Sequence, residues 1–333
     1  MIRDALYFDR HDDHMVTCRL CPAACRLKPD QRGICRCRYN DNGTLKTDNF
    51  GETVTVALDP IEKKPLYHFH PGSVIISIGA NGCNFACQHC QNWQISQEEV
   101  ATTYIAPEDL PKVGSQKGSI GVAYTYTEPL IWYEYLLEAA PRVRDAGLVN
   151  VLVTNGYINL DPLRRLLPFV DAFNIDLKGM RPEFYTHVCK GKLEPVLDVI
   201  RAVADSAVHL ELTYLIIPGL NDSDEDFHKL GEFIKSVNPK IPLHLSAYHP
   251  SYKMDRPATS AAIIQNGYMI VRQYLRHIFV GNLDIEGCSD SVCLSCGKKL
   301  IEREGYRIRL SGIEKDGCCR ACGTGSDIIM SPA

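Results

Sequence analysis

Nowhere in the 333 residues does an uninterrupted apolar run reach the ~20 residues that a membrane-spanning helix takes. The start, Met1-Ile2-Arg3-Asp4, lacks the apolar stretch of a secretory leader. Internal repeats and low-complexity tracts are missing too, which argues against a solenoid or a disordered array. A net charge of −4 leaves no excess of cations for a nucleic-acid footprint over the whole surface. With 45% hydrophobic and 23% charged residues, the chain reads as a soluble cytoplasmic enzyme with one main domain plus appendages. At this length a sizeable core is expected.

Cysteine, by contrast, is plentiful: fifteen residues, in three groups with Cys189 alone between them. Clustering at metal-ligand spacing fits a reducing compartment and metal binding better than disulfides. The middle group, Cys83-Asn84-Phe85-Ala86-Cys87-Gln88-His89-Cys90, follows an apolar strand and a glycine. A cubane of four irons normally takes four cysteines, so three local thiolates point to an iron-sulfur cluster with one iron left open. A zinc site short of one ligand, or three buried structural thiols, are the alternatives.

The N-terminal group holds Cys18, Cys21, Cys25, Cys35 and Cys37 among prolines and arginines, with no helical or strand period. Such a segment is expected to be organised by metal or not at all. Cys18, Cys21, Cys25 and either Cys35 or Cys37 could hold zinc or an auxiliary cluster, and spacing does not choose between them. Between Cys18 and Arg38 the cations Arg19, Arg26, Lys28, Arg32, Arg36 and Arg38 face only Asp30. That excess is either a solvated loop or a surface for an anionic partner, RNA among the options. The C-terminal group pairs Cys293-Leu294-Ser295-Cys296 with Cys319-Arg320-Ala321-Cys322, each followed by a turn glycine. Two such knuckles predict a zinc ribbon, with Cys288 and Cys318 as spare ligands.

The rest of the chain divides by pattern. Residues 1–58 form a Cys-rich metal-binding segment, and 59–72, with three prolines and a closing glycine, an extended connector. Residues 73–286 alternate short apolar runs with amphipathic stretches, the pattern of βα units on a parallel sheet. Six strands are predicted, over Val74–Ile78, Gly121–Tyr126, Asn150–Thr154, Ala172–Asp176, His209–Ile217 and Leu243–Ala247. Ser223, with Asp226 three residues on, opens one predicted helix, and another is expected from about Thr259 to Arg276. Residues 287–333 form the ribbon-like segment.

The Cys-x3-Cys-x2-Cys loop after the first core strand resembles the signature of the radical S-adenosylmethionine (SAM) enzymes. The resemblance implies an α/β fold, a partial (β/α)6 barrel with these two cysteine-bearing segments appended. It also implies a 4Fe-4S cluster on Cys83, Cys87 and Cys90 whose open iron binds SAM. Reductive cleavage of SAM then gives a 5'-deoxyadenosyl radical that abstracts hydrogen from a substrate. Function in a parallel barrel gathers at the C-terminal strand ends, and there the likeness nominates SAM contacts. Thr127-Glu128-Pro129 partly matches a Gly-Gly-Glu-Pro segment, which marks Glu128 for the SAM amine. Thr154-Asn155-Gly156-Tyr157 and Asp176-Leu177-Lys178 resemble the strand ends of pyruvate formate-lyase activating enzymes, marking Asn155, Asp176 and Lys178. A salt bridge is the plain alternative for that Asp-Lys pair. His249 is the candidate SAM-proximal imidazole, and His89 is placed on the adenine side.

Outside the core, Cys18-Arg19-Leu20-Cys21-Pro22, the run from Asp59 to Phe69, Cys90-Gln91-Asn92-Trp93-Gln94-Ile95-Ser96 and Val280-Gly281-Asn282 resemble the radical SAM member of the AmmeMemoRadiSam system. That likeness implies association with Memo-like and AMMECR-type proteins, an electron donor such as flavodoxin or ferredoxin, and an unidentified co-substrate. Three readings follow: a radical SAM oxidoreductase of that system, a glycyl-radical-enzyme activase acting on a protein glycine, or a non-catalytic metal-binding scaffold.

Overall fold

The computed structural model describes residues 1–331. Its centre is a nine-stranded sheet built from β1 (Glu52–Pro60), β2 (Val74–Ala80), β3 (Thr103–Tyr104), β4 (Gly121–Tyr124), β5 (Val149–Thr154), β6 (Ala172–Asp176), β7 (His209–Ile216), β8 (Leu243–Ala247) and β9 (Ile278–Gly281). The order across the sheet is β9-β8-β7-β6-β5-β4-β2-β1-β3. From β2 to β9 every neighbouring pair is parallel, while β1 runs antiparallel to both β2 and β3. All six predicted strands are present, β6 and β8 with the predicted bounds. The strands β1, β3 and β9 were not foreseen.

Parallel strands covered on both faces need unbroken apolar runs. In β2, Ile75, Ile76, Ser77 and Ile78 are all buried, and Leu152, Phe173, Ile175 and Leu212 continue the layer. Helices cover it with apolar residues at helical spacing. Tyr133–Asp145 buries Tyr133, Leu136, Ala140 and Val143, and Leu193–Ala204 buries Val196, Ile200 and Val203. The Ser223/Asp226 capping box opens Asp224–Val237 as predicted, with Phe227, Leu230 and Ile234 inward. The last helix is shorter than expected. It spans Ala261–Val271, because Ser260 caps its start and the chain leaves helical geometry after Arg272 to lead into β9.

The two ends of the sheet are closed by different segments. At the N-terminal ends of the strands, Ile61, Leu66 and Phe69 of the connector join Ile75, Ala123, Val151 and Ala172 in one apolar cluster. The connector is therefore a plug. It is held by Glu211 of β7, whose carboxylate accepts from the Tyr67 and His68 N–H groups at 3.0 and 2.7 Å and meets His209 and His244 Nε2 at 2.9 and 2.6 Å. The C-terminal strands Ser291–Val292, Lys299–Glu304 and Arg307–Arg309 dock on the same plug. His70 N donates to Ile329 O, Ile329 N to His68 O, and the Arg303 guanidinium lies 4.3 Å over the Tyr67 ring while donating to its carbonyl.

The N-terminal segment corrects the expectation that only metal could organise it. Arg3–Asp4, Thr44–Thr47 and Arg38–Asp41 form one three-stranded sheet, and Phe8–Arg10, Val16–Cys18 and Arg26–Leu27 another. The strands are too short to register as a period, and Asn42-Gly43 supplies a hairpin turn signal. This segment sits at the opposite end from the plug, on the loops that leave the C-terminal strand ends. Asn159 N bonds to Leu20 O, and buried Arg38 pairs with Glu134.

The plug predicts acid sensitivity. Burial holds His68, His70 and His277 below the usual histidine value of 6.5, so the stability tied to their neutral forms is present above 6.5 and is lost as pH falls through lower values. Burial alone would raise Glu211, but the bonds from His209 and His244 hold it well below 4.5, so its contribution fades only under more acid conditions. Thermal unfolding against pH should therefore decline from about pH 6.5 downward and steepen below about 4.5. Glu211→Gln should lower stability at neutral pH by about 3 kcal/mol and remove the steeper limb.

Candidate active site

The loop after β2 carries three of the cysteines, and its backbone is pinned by three separate segments, around Ile95, Val188–Cys189 and Ser251–Lys253. Gly82 N donates to Ile95 O at 2.9 Å, Ala86 N to Cys189 O at 2.9 Å, Gln88 N to Val188 O at 3.0 Å and Lys253 N to Gln88 O at 3.0 Å. Ser251 Oγ adds a bond to Cys90 O at 3.1 Å. Gly82 has φ +101°, and a Cβ there would lie 2.5 Å from the Cys35 carbonyl, so glycine is needed for the N-terminal segment to seat on this loop. Gly79 serves a second close approach, since a Cβ would lie 2.7 Å from Thr125 O.

Cys87 is buried, and Cys83 and Cys90 are partly so. Burial raises the Cys83 and Cys90 thiols, with Glu128 adding to the effect at Cys83. Cys87 is raised first by the neighbouring Cys189 thiol and then by burial. The structure thus brings Cys189 beside the loop. Sequence spacing could not show this, because about a hundred residues separate Cys189 from the others. Asn155 Nδ2 approaches Cys83 Sγ at 3.7 Å, and Ser96 Oγ lies 3.2 Å from Cys90 Sγ. Such polar neighbours are the kind that orient and tune a thiolate ligand.

The spread of the thiols distinguishes two kinds of site. A tetrahedral zinc with Zn–S near 2.3 Å sets its sulfurs about 3.8 Å apart. Cys293, Cys296, Cys319 and Cys322 meet that condition: their sulfurs all lie within 4.8 Å of one another, with Cys293–Cys322 and Cys296–Cys319 at 3.7 Å. Cys288 and Cys318 are not in that set. Among the described residues no other three cysteines, histidines or acids converge so closely, so Cys83, Cys87 and Cys90 stand wider. At least one pair of these sulfurs is therefore farther apart than the sulfurs of the C-terminal set.

Around the loop the strand ends deliver the nominated residues. Glu128 is 1% exposed. It caps the turn Pro129–Trp132 through Leu130 N at 2.9 Å and accepts from Thr154 Oγ1 at 2.5 Å and Asn155 N at 2.8 Å. Burial outweighs these bonds and lifts it to about 7. No glycine precedes it, yet Tyr126 takes φ +68°, and its hydroxyl donates to Asp59 at 2.6 Å. Lys64, buried, also pairs with Asp59 and lies 4.6 Å over the Tyr126 ring, so the plug segment braces this strand end. Asn155 bonds Asn84 Oδ1 at 2.9 Å, and Asn84 reaches Tyr157 O.

Asp176 and Lys178 do share a face, joined at 3.0 Å, while Leu177 is fully buried. Burial acts against the Lys178 ammonium, but Asp176, Cys87 and Cys189 together raise it well above its ordinary value. Asn221 holds the Lys178 carbonyl. His89 is buried, held near 3 by burial and by Lys178, and its Nδ1 has no partner among the described residues. His249 is exposed after β8. Trp93, from the Cys90–Ser96 motif, and Tyr252, which the sequence did not single out, stack at 5.2 Å and 13°.

Four cysteines of the N-terminal segment, Cys18, Cys21, Cys25 and Cys35, line a cavity beside this mouth. Their cationic neighbours are largely used internally: Arg19 pairs with Asp9, Arg32 with Asp48 and Arg38 with Glu134, and Arg36 bonds Ser96 O. Arg26 and Lys28 remain exposed.

A thiol-bearing loop stands at the C-terminal mouth of a parallel α/β sheet, and the comparisons name the family. The pattern of the radical SAM superfamily matches residues 77–233. An uncharacterized protein of Methanocaldococcus jannaschii is 37% identical over 99% of this chain and 100% of its own. The pyruvate formate-lyase 1-activating enzyme of Escherichia coli K12 is 26% identical over 50% of this chain and 71% of its own. A radical SAM methyltransferase from Sphaerobacter thermophilus shares the fold, with TM-score 0.50 and 16% identity over 64% of this chain and 67% of that one. The chain belongs to the radical SAM superfamily, and membership implies a 4Fe-4S cluster and SAM. No helix among the described residues is long and apolar enough to cross a membrane.

Gly82→Ala tests the seat of the N-terminal segment. The backbone strain alone should cost about 2 kcal/mol, read as a lowered unfolding midpoint. Limited proteolysis should then release fragments ending within the first 50 residues faster than from the parent protein.

Proposed function

We propose that Cys83, Cys87 and Cys90 hold a 4Fe-4S cluster and that the strand ends around it receive SAM. When bound, the cluster supplies the electron that cleaves SAM to a 5'-deoxyadenosyl radical, which takes hydrogen from the substrate. The observation carrying this reading is a rigidly pinned three-cysteine loop whose sulfurs stand wider than a zinc set, at the mouth of a superfamily fold.

The chain's own residues prepare that mouth. Lys178, kept as an ammonium by Asp176, sets a fixed positive charge beside Cys87 and offsets thiolate charge. Asn155 orients Cys83, and Asn84 fixes Asn155. Glu128 accepts a hydrogen bond from the SAM amine, and that bond would draw its carboxyl down from about 7 towards the ionised form. His89 stays neutral and offers a ring face on the adenine side. His249, exposed on the rim, would become buried when SAM binds.

The resemblance of the motifs flanking the core supports reading the chain as the radical SAM member of the AmmeMemoRadiSam system, with Memo-like and AMMECR-type proteins as associates. Flavodoxin or ferredoxin would serve as reductant in a cytoplasmic setting. The C-terminal thiol set binds zinc and locks the ribbon onto the plug, far from the mouth. A glycyl-radical activase is the second reading, favoured by the likeness to the Escherichia coli activating enzyme.

Anaerobic reconstitution with SAM and dithionite should give 5'-deoxyadenosine, and Cys87→Ala should reduce it to background. A reconstituted protein that cleaves no SAM by itself would exclude the first reading and leave the activase and the scaffold, which adding a protein partner then separates. Glu128→Gln should weaken SAM binding by roughly tenfold or more, measured by equilibrium titration. The activase reading requires deoxyadenosine release to depend on a protein partner, so full turnover on a small molecule alone would exclude it.

A further inference from the structure

We infer that Cys18, Cys21, Cys25 and Cys35 ligate a second, auxiliary iron-sulfur cluster rather than a zinc ion. Within one molecule the C-terminal cysteines serve as an internal reference. There four sulfurs converge to within 4.8 Å, as a single tetrahedral ion demands. No three of the N-terminal sulfurs do so. Instead Cys18, Cys21, Cys25 and Cys35 line a common cavity with Leu20, Leu27, Gly33, Ile34, Arg38 and Ile131. Four thiols spread around an apolar-walled cavity suit a cubane and are too dispersed for one ion.

Charge and hydrogen bonding agree. A four-iron cluster on four thiolates is anionic, and a buried site for it needs compensation. Arg38 is 1% exposed and lines the cavity. Its Nη2 is paired with Glu134, but its Nε, also buried, has no partner among the described residues. An orphaned guanidinium N–H at a thiol-lined cavity is a donor for a cluster sulfur or thiolate. Backbone N–H groups of Leu20, Ala23 and Ile34 lie against the Cys18, Cys21 and Cys25 thiols. Cys35 lines the cavity and Cys37 does not, and Cys37 donates to Cys35 Sγ at 3.5 Å, so Cys35 is the ligand and Cys37 its support.

Position gives the site a use. Cys35 O meets Gly82 of the catalytic loop, and Ile131, three residues after Glu128, closes on Cys35 and Cys37. The auxiliary cluster therefore sits against the loop that carries Cys83, where neither a substrate surface nor an electron path would be remote.

The test is metal counting on the full chain after anaerobic reconstitution. Eight irons and one zinc per chain, each within about one, are expected if both clusters form. The triple variant Cys83→Ala, Cys87→Ala, Cys90→Ala should keep about four irons and a reducible cluster signal in electron paramagnetic resonance. Cys18→Ala with Cys21→Ala should lose that remainder and leave the zinc. About four irons in the parent protein, or a folded triple variant without iron, overturns the inference, whatever the zinc count. Retention of all iron after loss of Cys18 and Cys21 overturns the ligand assignment. Failure of SAM cleavage alone would bear on the catalytic loop and leave these counts untouched.

Discussion

One buried carboxylate ties the fold together at its base. Glu211 is fully buried among two imidazoles and two backbone N–H groups. Left without them it would be an uncompensated charge in the core. Because the N–H groups belong to Tyr67 and His68, satisfying Glu211 draws the connector under the sheet. Because the connector then offers His68, His70 and Tyr67 to the C-terminal strands, the ribbon follows. The same connector reaches upward through Asp59 and Lys64 to Tyr126, so the base is mechanically linked to the strand end that presents Glu128.

What the sequence displayed depended on how local the signal was. The strands β2 and β4 to β8 were visible because parallel strands are written as short apolar runs, and the Ser223 capping box because it needs only four residues. The strands β1 and β9 were hidden: Glu52–Pro60 mixes polar and apolar residues and is only partly buried, and Ile278–Gly281 is only four residues long. The plug was read as an extended linker because its prolines speak of local backbone. Its burial depends on Glu211, some 140 residues away. The site showed the same division. Cysteine spacing identified the loop and both outer groups. The proximity of Cys189 to Cys87, the Trp93–Tyr252 stack and the bracing of Tyr126 are all long-range contacts with no signature in spacing.

The two outer cysteine groups, alike in sequence as paired thiols, have opposite placements. The C-terminal set lies beneath the plug, remote from the mouth, where a closed structural ion is sufficient. The N-terminal set lies over the mouth, against Gly82, Ile131 and Asn159. Of its six cations only Arg38 is buried in an ion pair, with Glu134; Arg19 and Arg32 pair with Asp9 and Asp48 at the surface, and Arg26 and Lys28 stay exposed.

The seating of the first fifty residues on loops from the middle of the chain also orders events during synthesis. Arg38 meets Glu134, Cys35 meets Gly82, and Leu20 meets Asn159, so the full set of contacts cannot form until residues up to about 160 have left the ribosome. The five thiols of the N-terminal segment thus emerge first and are enclosed late. For that interval they are open to oxygen, to stray zinc and to one another, and a cell that makes this protein must guard an exposed cysteine cluster until the barrel behind it exists.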